Sequence, residues 1–177
     1  MTSVSCSYID CKVPDGETGI WRIKTIKEFK VLFRKDRVVM SSAPVDVNDI
    51  IENLKDFKGS VLLTGLGLGI AVNVLLDKAE VTDITVLEKE IDVINLVAPS
   101  FKNTKVKIIH ADAFTWIPPK GKIYDFVWHD IFNFKHEIKR DEIERLNEKY
   151  AGIAKHCGLR SDHYLLFLCL ELSVAIS

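Results

Sequence analysis

The sequence predicts an α/β fold with a mostly parallel sheet and helices on both faces, and three observations support this prediction. From residue 61 onward, short apolar runs alternate with segments of helical periodicity, as in strand–helix–strand crossover units. The first run ends in three glycines at alternate positions, Gly65, Gly67 and Gly69. Carboxylates then lie at or just after the ends of the next three apolar runs, and parallel strands all end at one edge of a sheet.

The bulk composition is that of one ordinary globular domain. The chain has 177 residues, of which 47% are apolar and 28% charged, which argues against disorder. Its 24 basic and 25 acidic residues give a net charge of -1, so charge does not indicate nucleic-acid binding. No membrane partner is expected, because the longest apolar run, residues 164–170, is too short to cross a bilayer.

The four cysteines indicate a reducing compartment. Cys6, Cys11, Cys157 and Cys169 form no CxxC pair, and the N-terminus lacks the charged and apolar regions of a signal peptide. We therefore expect thiols rather than disulfides, and a cytoplasmic location.

Residues 1–43 are predicted to form an N-terminal extension. Residues 1–18 have the composition of a loose leader. Two alternating segments, 20–26 and 29–33, are followed by the polar turn 34–37 and a short return strand at 38–40, which predicts a small β-hairpin.

Residues 44–177 are predicted to form the main domain. Strands are expected at 61–65, 84–88, 105–109 and 124–129, and helices at 47–57, 70–79, 91–98 and 143–157. The last helix places Cys157 on its apolar face, in the core. Residues 163–177 suit a fifth strand or a helix, and their position favours the strand.

The glycine turn between a strand and a helix is typical of nucleotide-type pockets, where backbone N–H groups face a ligand. A turn that is merely tightly packed is the alternative. Glu88 ends the next strand and can accept hydrogen bonds from ribose hydroxyls, but it would repel the 2′-phosphate of NADP despite the following Lys89. Asp112 and Asp130 follow the third and fourth strands, where Asp112 can accept the amino hydrogens of an adenine.

The segments VLLTGLGLG, VLEKE, HADAF and YDFVWHD resemble the motifs of class I S-adenosylmethionine-dependent methyltransferases. Residues 28–132 are more closely similar to the spermidine synthase branch of that superfamily, with a further likeness to uncharacterised, often phage-associated, methyltransferase-like proteins. The resemblance implies a Rossmann-like fold and S-adenosylmethionine as cofactor. It implies a cofactor-binding set of Thr64, Gly65, Gly67, Gly69, Glu88, Lys89, Asp112 and Ala113. It also implies that Asp130 orients and deprotonates the acceptor.

The chain departs from these families at several places, among them GLGLG, which lacks the aspartate of the synthase glycine motif. Thr64 stands where many methyltransferases have an acidic residue, and Ile131 and Phe132 stand where the synthases continue with Ser and Asp. No sequence is left for the last two strands of the usual seven-stranded sheet, so we expect a minimal fold or a partner on the open edge, such as a second copy of the chain.

The predicted function is methyl transfer to an unidentified small or macromolecular acceptor. Aminopropyl transfer and non-catalytic cofactor binding with a partner are the alternatives. Phe132 and Phe134 are candidates either to hold a flat or cationic acceptor or to cap the core. No metal is expected, because His129, Asp130, His136 and Glu137 have no known ligand spacing.

Overall fold

The computed structural model describes residues 11–102, 104–131 and 140–159, which form two sheets and four α-helices. The strands are β1 (Gly16–Thr18), β2 (Trp21–Ile26), β3 (Phe29–Arg34), β4 (Arg37–Ser41), β5 (Gly59–Thr64), β6 (Val81–Glu88), β7 (Val106–His110), β8 (Tyr124–His129) and β9 (Ala154–Leu159). The helices are α1 (Pro44–Leu54), α2 (Ile70–Leu76), α3 (Ile91–Val97) and α4 (Arg140–Ala151). A turn of 3₁₀-helix, Ala98–Phe101, follows α3.

The main sheet is parallel throughout, with strand order β7-β6-β5-β8-β9. Its central strand β5 is buried on both faces: Val61 and Leu63 pack with α1, α2 and α3, whereas Leu62 packs with Leu146 and Tyr150 of α4. Helices therefore cover both faces, and the predicted α/β, Rossmann-like fold is confirmed.

The apolar run 164–170, on which the membrane prediction depends, lies outside the described residues, so only the helices of the described segments bear on membrane crossing. None of them combines the length and apolar content needed to cross a bilayer.

The N-terminal residues form a four-stranded antiparallel sheet in the order β1-β2-β3-β4. The predicted hairpin strands are confirmed, but the leader prediction is wrong for residues 11–18. Cys11 and Val13 are buried, the Cys11 thiol donates to the Leu68 carbonyl (3.7 Å), and Gly16–Thr18 pairs with β2. The Cys11 to Leu68 contact joins residues 57 positions apart, which local composition does not show. The domain boundary at residue 43 stays a prediction.

The predicted helix through Cys157 is wrong beyond Ala151. Gly152 follows α4, and β9 pairs with β8, with Cys157 opposite Val127. Cys157 is exposed on this strand rather than buried on a helix. Sheet pairing therefore overrides a helical spacing that continued by coincidence.

The fifth parallel strand is β9, which precedes the segment predicted for it. Residues 163–177 lie outside the described residues, as do Cys6 and Cys169. In the described sheet β7 and β9 are the edges, and pairing of a second copy through an edge stays a prediction.

Candidate functional site

A cavity of about 330 Å³ lies at the carboxyl edge of the parallel sheet, a volume typical of small-molecule sites. One side is built by the parallel sheet and its helices: Gly65, Gly67, Leu87, Glu88, Lys89, Glu90, Val93, Ala111, Asp112, Ala113, Phe114, Asp130, Ile131 and Glu142. Another part of the lining comes from the N-terminal sheet: Trp21, Leu32, Arg34, Val39 and Met40. The predicted extension therefore forms part of the site.

The cavity brings together most of the predicted site residues. Gly65, Gly67, Glu88, Lys89, Asp112, Ala113 and Asp130 all line it. Thr64 and Gly69 are not among the lining residues. Thr64 is buried and hydrogen-bonds His129, and Gly69 begins α2 against the ring of Phe101, so their contact with a cofactor stays a prediction.

Two glycines of the loop are required by the crowding of the protein's own atoms. Gly65 has a φ of +96° and Gly67 a φ of +51°, both in the region that favours glycine. A Cβ at Gly65 would lie 2.4 Å from the Asp130 carbonyl oxygen, and one at Gly67 would lie 2.3 Å from Met40 Sδ. Tight packing and access to the cavity therefore both explain this glycine pattern.

The backbone N–H groups of the loop are mostly occupied. Four of them donate to protein acceptors: Gly65 to Leu87 O (2.8 Å), Leu66 to Glu88 Oε2 (2.8 Å), Leu68 to Met40 Sδ (3.1 Å) and Gly69 to Leu66 O (2.8 Å). The expectation that the loop presents N–H groups to a ligand is wrong for these four. A dinucleotide pyrophosphate depends on such donors, so the loop suits a nucleoside ligand without phosphate.

Glu88 is held in place by backbone donors from both sides. Its Oε2 accepts the Leu66 N–H, and its Oε1 accepts the Glu90 N–H at 2.9 Å. The side chain is 8% exposed and lines the cavity. Each carboxylate oxygen has a second lone pair, so the group can also accept two ribose hydroxyls.

The Asp112 and Ala113 corner is supported from α4. Asp112 Oδ1 accepts the Phe114 N–H (2.8 Å), and the Ala113 carbonyl accepts the Tyr150 hydroxyl (2.8 Å). Burial raises the pKa of Tyr150 above its ordinary range, so the hydroxyl remains a donor. Sequence spacing placed Tyr150 on an apolar face but gave no sign of this contact.

Asp130 lies one residue beyond β8, where its N–H donates to the Thr64 carbonyl (2.8 Å). Its side chain is half-buried, and the residue lines the cavity beside Gly65. The backbone position of Asp130 is therefore determined by the end of β5, which places the residue at the cavity.

His129 belongs to the core beneath the site. It is fully buried, with Nδ1 2.9 Å from the Thr64 hydroxyl and Nε2 3.4 Å from the Cys157 sulfur. Burial lowers the pKa of His129 to about 4, so the ring is neutral at pH 7. Sequence reasoning considered His129 as a metal ligand and missed this chain of polar contacts. His136 and Glu137, like Phe132 and Phe134, lie outside the described residues.

The cavity is acidic. Among the described residues that line it are five carboxylates, those of Glu88, Glu90, Asp112, Asp130 and Glu142, and two cations, those of Arg34 and Lys89. Such a lining favours a cationic ligand.

No protein-family model matches the chain. A polyamine aminopropyltransferase of Leptospira interrogans is 32% identical over the aligned region, which covers 66% of this chain. The alignment covers 29% of the relative, so the chain spans less than a third of that protein's length. The resemblance to the spermidine synthase branch is confirmed as a sequence similarity.

The solved structures to which parts of this chain are similar include two methyltransferases, one of them putative. An S-adenosylmethionine-dependent methyltransferase of Clostridium acetobutylicum is 12% identical with a TM-score of 0.48, covering 62% of this chain and 45% of its own. A putative caffeoyl-CoA O-methyltransferase of Staphylococcus aureus is 18% identical with a TM-score of 0.45, covering 63% and 52%.

Proposed function

We propose that this chain is an S-adenosylmethionine-dependent transferase, and that it transfers a methyl group to an acceptor still to be identified. One observation carries the proposal: a single cavity is lined by the loop glycines, by Glu88, by the corner of Asp112 and Ala113, and by Asp130. The alignment with the aminopropyltransferase supports the same class of cofactor.

The order of the strands in the sheet determines which part of the cavity each part of the cofactor would occupy. In the order of the sheet, Asp112 follows β7, Glu88 ends β6, the loop glycines follow β5 and Asp130 follows β8. Adenine would be held by Asp112 and Ala113, ribose by Glu88, and the amino-acid part beside Gly65 and Gly67. A cofactor without phosphate fits the occupied N–H groups of the loop, and a sulfonium cation fits the acidic lining.

The protein needs to do little chemistry itself. When bound, S-adenosylmethionine supplies a carbon electrophile that the sulfonium has already activated. The chain then has to align an acceptor and remove its proton. Asp130 is the residue for both tasks, because its backbone is fixed by Thr64 and it lies at the cavity next to Gly65.

Aminopropyl transfer is the second candidate. The name of the curated relative favours it, and an acidic cavity would also suit a diamine acceptor. The replacement of the synthase Ser and Asp by Ile131 and Phe132 counts against it.

The nucleoside product distinguishes the two reactions. The purified protein would be incubated with S-adenosylmethionine and a panel of acceptors, and separately with decarboxylated S-adenosylmethionine and diamines. We expect S-adenosylhomocysteine from the first mixture, whereas methylthioadenosine from the second would establish aminopropyl transfer. The Asp130→Asn variant should form no product but should still bind S-adenosylhomocysteine. Asp125 lies near the start of β8, at the opposite edge of the sheet from the cavity, so the Asp125→Asn variant should form as much product as the wild type.

Cofactor binding without either product across the panel would contradict the proposed reaction and leave non-catalytic binding as the explanation. We also propose a cytoplasmic location, which the cysteine pattern supports.

A further inference from the structure

Two sulfur atoms from the N-terminal part of the chain hold Leu68 in the glycine loop, residues 65–69. The N–H of Leu68 donates to Met40 Sδ on β4 (3.1 Å), and the carbonyl of Leu68 accepts the thiol of Cys11 (3.7 Å). All three residues are buried, with exposed fractions of 6% or less. Both backbone polar groups of Leu68 therefore have sulfur partners that lie far away in the sequence.

Met40 also packs against the glycine that precedes Leu68. A Cβ at Gly67 would overlap Met40 Sδ, and Gly67 and Met40 both line the cavity. A thioether sulfur is a weak hydrogen-bond acceptor, but this close packing adds dispersion contacts to the Leu68 hydrogen bond. Met40 therefore contacts two successive residues of the loop at the cavity itself.

The end of β4 that carries Met40 is fixed by α1. The next residue, Ser41, donates its N–H (3.1 Å) and its hydroxyl (2.9 Å) to Asp46 Oδ2, and Asp46 is itself buried. On the neighbouring strand, Met40 lies opposite Leu32, which is also buried. Because Met40 is held in this way, the loop cannot move away from it without losing the acceptor of the buried Leu68 N–H.

We propose that Met40 and Cys11 are positioning residues for the cofactor. By holding Leu68, they keep the glycine loop in the conformation that accepts the amino-acid part of S-adenosylmethionine. This inference rests on the proposed function, in which the amino-acid part lies beside Gly65 and Gly67. A loop that also populates other conformations binds its ligand more weakly, in proportion to the fraction that is competent to bind.

The nucleoside part of the cofactor depends on other contacts. Glu88 is oriented by the backbone N–H groups of Leu66 and Glu90. Asp112 is oriented by the N–H of Phe114. Loss of a sulfur contact should therefore weaken ligands that carry the amino-acid part more than ligands that lack it. A general loss of stability would not produce such a difference between ligands.

Calorimetric titration of two ligands against four proteins tests this assignment. The ligands are S-adenosylhomocysteine and methylthioadenosine, which lacks the amino-acid part. The proteins are the wild type, Met40→Leu, Cys11→Ala and Val31→Ala. The Met40→Leu variant keeps a side chain of similar volume but removes the acceptor of the Leu68 N–H. Val31 is the matched control, because it is buried in the same sheet, on the opposite face from the adjacent Leu32, and is not among the cavity-lining residues.

We expect Met40→Leu to weaken the binding of S-adenosylhomocysteine by about fivefold to tenfold and to leave the affinity for methylthioadenosine within roughly twofold. Cys11→Ala should act in the same direction by about twofold to threefold, because a thiol is a weak donor. Val31→Ala should lower the melting temperature but change neither affinity. Thermal unfolding of each variant measures this loss of stability and checks that the sheet still folds.

Met40 can also be observed in the wild-type protein, so the test does not depend on the folding of a variant. The chain contains two methionines, Met1 and Met40, so carbon-13 labelling of the methionine methyl groups gives one NMR resonance from each. The spectrum of Met40→Leu identifies the resonance of Met40. Saturation with S-adenosylhomocysteine should shift this resonance more than saturation with methylthioadenosine does.

An equal loss of affinity for both ligands in Met40→Leu, or an unshifted Met40 resonance at saturation with S-adenosylhomocysteine, would overturn the inference and leave the proposed function standing. An unchanged affinity for S-adenosylhomocysteine in either sulfur variant would overturn the role of the residue replaced. If the wild type bound neither ligand, both the inference and the proposed function would be wrong.

Discussion

The parallel sheet has two rims: the amino rim, where its strands begin, and the carboxyl rim, where they end. Both rims carry carboxylates, but the carboxylates have different partners on each rim. At the amino rim, Asp83 pairs with Lys122 (3.1 Å) and Asp125 pairs with Lys155 (2.6 Å). At the carboxyl rim, Glu88 and Asp112 accept backbone N–H groups instead and line the cavity.

This difference in partners distinguishes the amino rim, a structural surface, from the carboxyl rim, a binding surface. Lysine partners neutralise the amino-rim carboxylates, and exposed pairs of this kind contribute little to stability. Lys155 and the Ser60 N–H hold the pKa of Asp125 below its ordinary value. Backbone donors orient Glu88 without neutralising it, so its charge remains available to a ligand.

The largest expected effect is on ligand affinity, when one carboxylate on each rim is replaced by alanine. Glu88→Ala removes the acceptor of the Leu66 and Glu90 N–H groups and the predicted ribose contact. We expect affinity for S-adenosylhomocysteine to fall by at least about a hundredfold, and the free energy of unfolding to fall by about 2–4 kcal/mol. Asp125→Ala should leave that affinity unchanged. Titration calorimetry and urea unfolding measure both, and equal losses of affinity in the two variants would remove the distinction between the rims.

The next largest effect is on stability. It compares Gly65, where an added Cβ would be crowded, with Gly152, where an added Cβ would have space. Gly65→Ala places a Cβ against the Asp130 carbonyl at positive φ, and we expect a loss of roughly 2–4 kcal/mol in the free energy of unfolding. A Cβ at Gly152 meets nothing within 4 Å, so Gly152→Ala should be nearly neutral. Urea unfolding compares them, and a neutral Gly65→Ala would show that the loop is looser than its contacts indicate.

The pH dependence of stability should distinguish the rims as well. His129, under the carboxyl rim, has a folded pKa of about 4 against an ordinary 6.5, so the unfolded chain binds its proton first. Stability should therefore be lost as pH falls from 6.5 toward 4, by up to about 3 kcal/mol. The lowered pKa of Asp125 acts only below its ordinary value of 3.8.

Urea unfolding between pH 7 and pH 4 measures this loss. His129→Gln should be less stable than the wild type at pH 7 but should have a flatter profile through this window. An unchanged slope in the variant would show that another group controls the acid response.

The smallest expected effect on stability and affinity comes from replacing Tyr150, through which α4 supports the corner of Asp112 and Ala113. Tyr150→Phe leaves the Ala113 carbonyl without its donor and should cost about 1 kcal/mol of stability. Affinity for S-adenosylhomocysteine should fall only a few-fold, because Glu88 is untouched. The same unfolding and titration experiments check it, and a loss as large as that of Glu88→Ala would make this corner, not Glu88, the main determinant of binding.

The carboxyl rim could be predicted because its signals are local. An apolar run that stops at Gly65, or at Glu88, marks the end of a strand, and parallel order then brings these ends together. The contacts that shape the site are not local. The Tyr150 to Ala113 bond spans 37 residues and the Leu68 to Met40 contact spans 28, so neither appears in spacing or periodicity.

At Cys157, by contrast, a local spacing was present and gave a wrong prediction. Ile153 and Cys157 continued the helical spacing of α4, but Gly152 interrupts the helix and pairing with β8 decides the structure. Burial of Val13 likewise depends on a core assembled from distant elements.

The most direct test of the central claim is a calorimetric titration of the wild-type protein with S-adenosylmethionine, S-adenosylhomocysteine and NAD. We predict micromolar binding of the first two and none of NAD, because four loop N–H groups, the kind of donor that a pyrophosphate requires, already donate to protein acceptors. Binding of NAD in preference to S-adenosylmethionine, or of none of the three, would contradict the assignment of this cavity as a site for S-adenosylmethionine.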